Sequence, residues 1–268
     1  MSNIFKVLTV AGSDSSGGAG IQADLKTFSA HNVYGMSVIT SVTAQNTMGV
    51  YGVYDVPADG VAEQIKAVFE DIRPDAVKIG MVSNTEIINV IGKCLDKYKA
   101  DNIVLDPVMV STSGSMLLNS DSKEALINKL MPLATVITPN IFEAEILSEI
   151  KIINEDDMVK AAEEIYNKTN NAILIKGGHL KSSANDLVYM KNKVKWLKAD
   201  KIDSRNTHGT GCTLSSAIAC NLAMGYDVET SVIKAKQYVY EAISVRLNLG
   251  KGDGPLWHNV NNGSGMKQ

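Results

Sequence analysis

Residues 207–212, with the sequence Thr-His-Gly-Thr-Gly-Cys, have the composition of an anion-binding turn. Two glycines flank a threonine at the point where an apolar, alanine-rich helix is predicted to begin. Glycine lets the backbone approach a ligand closely, and a first helical turn adds unpaired N–H groups and the positive end of the helix dipole. The segment therefore predicts an anion pocket, best matched by phosphate. The alternative is a glycine-rich loop that only leads into a core helix.

Cys212 closes this segment and lies at the mouth of the predicted pocket. The positive end of the helix is expected to lower the pKa of a thiol in that position. A low-pKa thiol has two possible uses. It can be the covalent nucleophile of a hydrolase or transferase, with His208 four residues away as its base. It can also be a proton acceptor in another kind of reaction.

Two carboxylates and one lysine stand at predicted strand ends. Asp106 and Glu143 lie at or just beyond buried strands, each near a proline that fixes the chain direction. Two carboxylates in one cleft suit Mg²⁺, which keeps several waters and bridges to substrate phosphates. Considered by itself, Glu143 has an alternative role, since a negative charge in the first turn of a helix interacts favourably with the helix dipole. Lys176 would neutralise charge developing on a phosphate, whereas neither His179 nor His208 is assigned as a catalytic base.

Three further side chains are candidates for holding an organic substrate. Asp24 falls within the apolar stripe of a predicted helix, so it needs a partner there, either the substrate or a neighbouring backbone group or lysine. Gln45 donates and accepts at once, which suits a heterocycle with a ring nitrogen and an amino group, although turn chemistry is the alternative. Met81 can flank a flat ring or fill the core.

The glycine-rich residues 12–20 resemble a dinucleotide-binding turn only loosely. The G-x-G-x-x-G order is absent, and no acidic residue suited to the ribose follows at the expected distance. A nicotinamide-dependent enzyme is therefore a weak alternative.

Strands and helices alternate along the chain, and the strands are too apolar to have a solvated face. This predicts a three-layer α/β/α fold with a mainly parallel sheet, in which ligands bind beyond the carboxyl ends of the strands. Two further strands, split by a polar turn, predict an antiparallel hairpin near one edge. Strands are predicted at 5–11, 36–42, 76–79, 102–105, 135–137, 172–175, 186–190 and 194–197. Helices are predicted at 19–31, 61–72, 86–98, 156–166, 212–224 and 228–247, with another ending near 130–131.

The bulk composition is that of an ordinary globular enzyme. The chain has 268 residues, of which 45% are hydrophobic and 21% charged, and its net charge is −3. This balance gives no support to nucleic-acid or membrane binding. Its three cysteines lack C-x-x-C spacing, which argues against a zinc site or a disulfide framework. We expect one domain over residues 1–258, a mobile tail at 259–268 and, with no signal segment evident, a cytoplasmic location.

The same motifs resemble the hydroxymethylpyrimidine and phosphomethylpyrimidine kinases of thiamine biosynthesis, which are ribokinase-like kinases. The resemblance runs from Val7 to about His258. The most specific segments are residues 11–24 and 43–47. The segments 78–81, 106–108, 138–140, 176–179 and 208–212 follow in family order.

The resemblance implies two transfers of the ATP γ-phosphoryl group, first to the hydroxymethyl group of 4-amino-5-hydroxymethyl-2-methylpyrimidine and then to its monophosphate. It also assigns residues of this sequence to four roles: pyrimidine binding, Mg²⁺ binding, nucleotide binding and the anion hole. The pyrimidine would be held by Gly12, Asp24, Gln45, Met81 and Val108. Mg²⁺ and its waters would be held by Asp106 and Glu143. Lys176 and Asn140 would bind the nucleotide. The anion hole would be formed by Gly209, Thr210, Gly211 and Cys212.

Cys212 would then accept the substrate hydroxyl proton, and the resemblance also implies a homodimer. A pyridoxine or pyridoxal kinase is the nearest alternative, since it is a sister activity on the same scaffold. Two other classes of function remain as alternatives: a thiol hydrolase or transferase, and a non-catalytic nucleotide-binding module.

Overall fold

A computed structural model describes residues 4–109, 120–178, 185–191, 193–198, 202 and 204–260. Its strands are β1 (Lys6–Asp14), β2 (Tyr34–Asn46), β3 (Gly49–Asp55), β4 (Ala76–Ile79), β5 (Ile103–Leu105), β6 (Val136–Ile137), β7 (Ala172–Ile175), β8 (Asp186–Met190) and β9 (Lys193–Leu197). Its α-helices are α1 (Gly20–Ala30), α2 (Ala58–Asp71), α3 (Thr85–Lys97), α4 (Ser120–Ala125), α5 (Ile141–Ser148), α6 (Glu155–Thr169), α7 (Thr210–Ala223) and α8 (Val228–Ser244). His179 and residues 261–268 of the expected tail lie outside the described residues.

The strands form one sheet in the order β3-β2-β1-β4-β5-β6-β7-β8-β9. Every pairing from β2 across to β7 is parallel. β3 pairs antiparallel with β2 at one edge, and β8 and β9 pair antiparallel at the other. The predicted mainly parallel sheet with an antiparallel edge hairpin is therefore confirmed.

Alternate residues of the central strands pack into two separate cores, one on each face of the sheet. In β5, Ile103 and Leu105 join the core beneath α2, α3, α5 and α6, whereas Val104 joins the core beneath α1, α7 and α8. β7 divides in the same way, with Ile173 and Ile175 on one side and Leu174 on the other. Both faces are buried, so these strands read as continuous apolar runs, and the chain forms the predicted three layers.

Several elements differ from those predicted. β1 extends through Asp14, so the turn expected from residue 12 begins later. β3 was not predicted because Gly49 and Gly52 interrupt it and most of its residues are exposed. The helix expected to end near 130–131 continues as a π-helical segment, Leu126–Leu130, and a 3₁₀ turn, Met131–Leu133, which contains Pro132. Pro132 lacks an amide hydrogen and cannot donate an intrahelical bond, and the segment closes there as a 3₁₀ turn.

Within the described segments, no helix combines the length and the apolar content needed to cross a bilayer.

The residues predicted to carry out the chemistry lie together at the edge of the sheet formed by the carboxyl ends of the parallel strands. Asp106 follows β5 and Lys176 follows β7, while a backbone bridge pairs Lys176 with Asn140 at the start of α5. The N-terminus of α7 approaches the same edge.

Candidate active site

Lys176 and Asp106 form an ion pair at this edge. Lys176 Nζ lies 2.8 Å from Asp106 Oδ1, and the two side chains are 17% and 3% exposed. Burial alone would lower the pKa of Lys176, but the carboxylates of Asp106 and Glu143 raise it. Lys176 is therefore an ammonium at neutral pH, with enough exposure to meet an incoming anion.

The N-terminus of α7 meets this ion pair at Gly211. A Cβ on Gly211 would lie 3.3 Å from Lys176 Nζ and 3.4 Å from Asp106 Oδ2, so the absence of a side chain keeps the approach open. Thr213 makes the first intrahelical bond, to the carbonyl of Gly209. Helix geometry thus leaves the N–H groups of Gly211 and Cys212 without an intrahelical acceptor. The N-terminus and the lysine together form a compact positive site.

Gly209 is the N-cap of α7, and its conformation requires glycine. Its φ is +83°, and a Cβ would fall 1.8 Å from the carbonyl oxygen of Gly18. Thr210 directs its hydroxyl back to the carbonyl of Thr207, at 2.7 Å, so its side chain stabilises the turn. The glycines that predicted an anion pocket thus also let two loops pack against each other.

Asp14 and His208 tie those two loops together, a contact that sequence reasoning did not find. His208 Nε2 lies 2.8 Å from Asp14 Oδ2, which also accepts hydrogen bonds from the amides of Gly18 and Ala19. Burial would raise the pKa of Asp14, but the hydrogen bonds from His208 and Ser16 outweigh it and hold this pKa well below its usual range. His208 is thereby a buried structural partner of Asp14. The carboxylate alone could have signalled this, because it ends a buried strand and precedes a glycine-rich loop.

Cys212 does not have the lowered pKa expected from its position. The thiol is half-buried, and burial raises its pKa to about 11, against the opposing effects of Lys78 and a hydrogen bond from the Gly20 amide. The prediction of a lowered pKa is therefore wrong, because loss of hydration outweighs the positive groups around it. At neutral pH Cys212 is a neutral thiol, which also weakens its interpretation as a covalent nucleophile.

Asp24 is enclosed in the interior rather than exposed to a ligand. Its oxygens lie 2.9 and 3.0 Å from Lys78 Nζ and accept hydrogen bonds from Thr9 and Ser216. Burial would lower the pKa of Lys78, but Asp24 raises it. Of the two roles weighed from the sequence, the structure gives the carboxylate a lysine partner and no exposed oxygen for direct contact with a substrate. Lys78 was part of a family motif but had no predicted role.

Glu143 serves both the start of α5 and the electrostatics of the cleft. Its Oε2 accepts the Asn140 amide, and the Asn140 side chain accepts the Glu143 amide in a capping box. Burial raises the pKa of Glu143 to about 7, with Lys176 lowering it and Asp106 raising it further. Asn140 therefore caps a helix with the side chain that was predicted to contact a nucleotide.

The donor set around Asp106 and Glu143 fits Mg²⁺ only with ligands from outside the chain. In the described residues, no three His, Cys, Asp or Glu side chains come together as a metal site. The two carboxylates are close enough for Asp106 to raise the pKa of Glu143, a repulsion that a divalent cation would relieve. Mg²⁺ commonly binds one or two carboxylates and completes its shell with waters and phosphate oxygens. The residues present therefore fit this ion.

Gly12 and Met81 adjoin each other at the carboxyl ends of β1 and β4. A Cβ on Gly12 would lie 2.9 Å from Met81 Cε and 2.8 Å from Ser41 Oγ. Val108 is half-buried two residues beyond Asp106, in a turn closed by its amide bonding the Asp106 carbonyl. Gly12 and Met81 thus lie side by side, and their contact with a flat ring stays a prediction.

Gln45 lies further out, in the part of β2 that pairs with β3. Its backbone N–H and carbonyl both bond the Ser15 hydroxyl, at 3.0 and 2.8 Å. Its side-chain Oε1 accepts a hydrogen bond from Thr43 at 3.2 Å. These contacts join the first loop to β2. The contact of the Gln45 amide with a substrate ring stays a prediction.

The three-layer fold, with a helix N-terminus facing a lysine and two carboxylates, defines the class of ribokinase-like kinases of small molecules. Residues 14–257 match the family profile described as "Phosphomethylpyrimidine kinase". The chain belongs to the phosphomethylpyrimidine kinase family.

Relatives and solved structures agree with this assignment. A hydroxymethylpyrimidine/phosphomethylpyrimidine kinase from Rhizobium meliloti is 51% identical over 255 residues, covering 94% of this chain and 96% of the relative. The crystal structure of a phosphomethylpyrimidine kinase from Clostridium difficile is 54% identical, covers 89% of this chain and 99% of that one, and has a TM-score of 0.81. The Staphylococcus aureus pyridoxal kinase in complex with ADP is 38% identical, covers 98% and 96%, and has a TM-score of 0.91. Fold similarity therefore does not separate the two activities, whereas sequence identity favours the pyrimidine kinases.

Proposed function

We propose that this protein phosphorylates 4-amino-5-hydroxymethyl-2-methylpyrimidine with ATP, and then phosphorylates the monophosphate to give the pyrimidine diphosphate used in thiamine biosynthesis. The observation that carries the proposal is the meeting of the α7 N-terminus with the Lys176–Asp106 pair at Gly211. Together these groups form a positive site with an adjacent carboxylate, which suits a phosphoryl group in transfer. Membership of the phosphomethylpyrimidine kinase family supplies the substrate class.

The chain's own residues hold and stabilise the phosphates. The amides of Gly211 and Cys212 point out of the first helical turn, where they can donate to the transferring group. Lys176 stays protonated and neutralises charge on the ATP phosphates. Asp106 and Glu143 would hold Mg²⁺ with its waters, and the ion would supply charge neutralisation on the phosphate oxygens. Positioning and electrostatics supply most of the rate enhancement in this reaction class.

Cys212 remains the proposed acceptor of the substrate hydroxyl proton, with a restriction set by its raised pKa. A neutral thiol cannot take up a proton, so only the small thiolate fraction of the enzyme is competent in this role. Lys78 and the Gly20 amide both favour that thiolate. A modest base is sufficient because phosphoryl transfer demands little covalent chemistry from the protein.

A homodimer and a cytoplasmic location, where ATP is available, are further parts of the proposal. The β2–β3 hairpin supports the dimer, because it exposes large apolar side chains along one edge of the sheet. These are Val42, Met48, Val50, Tyr51, Val53 and Tyr54. Exposed apolar groups concentrated on one element are typical of an interaction surface. Light scattering coupled to size-exclusion chromatography would give the oligomeric state directly.

A coupled assay of ADP release tests the activity. We expect turnover with the pyrimidine and with its monophosphate, and a higher kcat/KM for the pyrimidine than for pyridoxal. Lys176→Met is the control, since loss of its ammonium should abolish most turnover and so exclude a contaminating kinase. Preference for pyridoxal would replace the proposal with the pyridoxal kinase alternative, an activity that the similar fold of the Staphylococcus aureus enzyme also supports. Turnover without ATP would point to thiol chemistry instead.

A further inference from the structure

Ser41 carries a buried hydroxyl with no hydrogen-bond partner. Its side chain has no solvent exposure, and among the residues that the structure describes its Oγ is the only buried side-chain nitrogen or oxygen left unpaired. Such a group destabilises the free protein, because it loses its bonds to water without gaining others. An isolated case of this kind in a folded protein needs an explanation.

The unpaired hydroxyl lies at the predicted ring pocket. Ser41 Oγ lies 2.8 Å from the point where a Cβ on Gly12 would be, and Met81 Cε lies 2.9 Å from that same point. The neighbouring hydroxyls on β2 do have partners. Thr40 donates to the Met81 carbonyl at 2.8 Å, and Thr43 donates to the Ser13 carbonyl at 2.6 Å. The fold therefore satisfies the hydroxyls around Ser41 and leaves the one beside the pocket free.

Met81 provides the means by which a ligand can reach this hydroxyl. Its backbone is fixed by the bond from Thr40, whereas its half-buried side chain has three rotatable bonds and ends in a soft thioether. A rotamer change would move Cε away from Gly12 without shifting the strand. A planar ring entering beside Gly12 would then adjoin Ser41 Oγ.

We propose that Ser41 is a specificity-determining residue whose hydroxyl bonds a ring nitrogen or ring amino group of a heteroaromatic alcohol once the Met81 side chain moves aside. This inference rests on the proposed function and deepens it. A hydroxyl both donates and accepts, so it can pair with either polar ring atom. A ring that offers only carbon at this position would leave the hydroxyl buried and unpaired, and the site would reject it.

The variant Ser41→Ala tests the inference through opposite effects on stability and binding. We expect the Kd for 4-amino-5-hydroxymethyl-2-methylpyrimidine, measured by calorimetry without ATP, to rise about five- to tenfold for one lost hydrogen bond. The KM for ATP should stay within about twofold. The Tm of the free protein should be unchanged or higher, since the variant removes an unsatisfied group.

Ser148→Ala is the matched control, because the Ser148 hydroxyl is also buried but bonds the Ala144 carbonyl at 2.7 Å and the Ile150 amide at 3.1 Å. It should lower the Tm and leave the Kd unchanged. An unchanged Kd in Ser41→Ala would overturn the role of Ser41, and so would a lowered Tm or failure to fold. If the wild type binds pyridoxal and not the pyrimidine, the proposed function fails, and the same comparison made with pyridoxal decides the role of Ser41.

Discussion

Lys78 and Asp24 form an ion pair entirely inside the protein, with Lys78 Nζ 2.9 and 3.0 Å from the two carboxylate oxygens and neither side chain exposed. Thr9 and Ser216 complete the hydrogen bonding of the carboxylate. Ser216 lies one helical turn after Cys212 on α7, and the ammonium of Lys78 acts on the Cys212 thiol. The pair thus links β1, α1, β4 and α7 beneath the candidate active site.

Lys78→Met should destabilise the protein by about 3–5 kcal/mol, because it leaves the Asp24 charge buried without its counter-ion. The double variant Lys78→Met/Asp24→Asn should be more stable than the single variant, since no uncompensated charge remains. Urea unfolding measures both. Lys151→Met is the control, because its pair with Glu145 is largely exposed on the lysine side, and it should change stability by less than about 1 kcal/mol. Simple additivity of the two substitutions would contradict the coupling.

Cys212→Ala should lower kcat about 10²-fold or more while changing the KM for ATP little, if the thiolate accepts the hydroxyl proton. The pH dependence separates this role from simple packing. Since kcat/KM reports free-enzyme groups, its logarithm in the wild type should rise with pH above neutrality, toward the Cys212 pKa of about 11. The profile of Cys212→Ala should lack that rise. Parallel profiles, or an unchanged kcat, would leave catalysis to the backbone amides.

Asp106→Asn should raise the Mg²⁺ concentration needed for half-maximal activity by about 10- to 100-fold, because it removes one of two carboxylates proposed to hold the ion. A Mg²⁺ titration at fixed ATP measures this shift. Asp96→Asn is the control for the change of charge, because its carboxylate pairs with Lys99 on the exposed surface, and its Mg²⁺ titration should match that of the wild type. A titration of Asp106→Asn that superimposes on the wild type would argue against the metal role.

His258 should make the protein less stable in mild acid. Burial, with a contribution from Lys26, lowers its pKa from 6.5 to about 4. Between these pH values His258 is protonated in the unfolded chain and neutral in the folded protein. The free energy of unfolding is therefore unaffected by protonation of His258 above about pH 6.5. It falls progressively as the pH drops to about 4, by up to roughly 3 kcal/mol.

The variant His258→Gln should flatten that part of the pH dependence of the free energy of unfolding. Thr213→Val is the control, because it removes only the hydroxyl 3.1 Å from His258 Nε2 and keeps the titrating ring. Equal slopes for the wild type and His258→Gln between about pH 4 and 6.5 would assign the acid sensitivity to other groups.

Most of the sheet was predictable because its central strands are buried on both faces. β4 and β7 have the predicted bounds, 76–79 and 172–175, since short apolar runs bounded by polar turns leave little choice. β3 was missed for the opposite reason. Its glycines and its exposed face carry no hydrophobic alternation, and only its pairing with β2 makes it a strand.

The candidate site was predictable in its residue types but not in their environments. Lys176, Asp106 and Gly211 meet as their positions at strand and helix ends suggested. Asp24 and Cys212 show the limit, because their surroundings come from residues far along the chain. Lys78 is 54 positions from Asp24, and burial is set by packing that no local pattern describes.

The sequence alone determined the α/β class and the order of its main elements, because hydrophobic periodicity and glycine-rich turns act locally. Its motifs, by their resemblance to a kinase family, supplied the family and the set of candidate residues. Tertiary structure alone decided that Asp24 is the counter-ion of Lys78, that His208 locks onto Asp14, that the Cys212 thiol is neutral and that the Ser41 hydroxyl is unpaired. These properties depend on burial and on partners brought together by the fold. Desolvation and long-range pairing, which decide protonation and hydrogen bonding, exist only once the chain is packed.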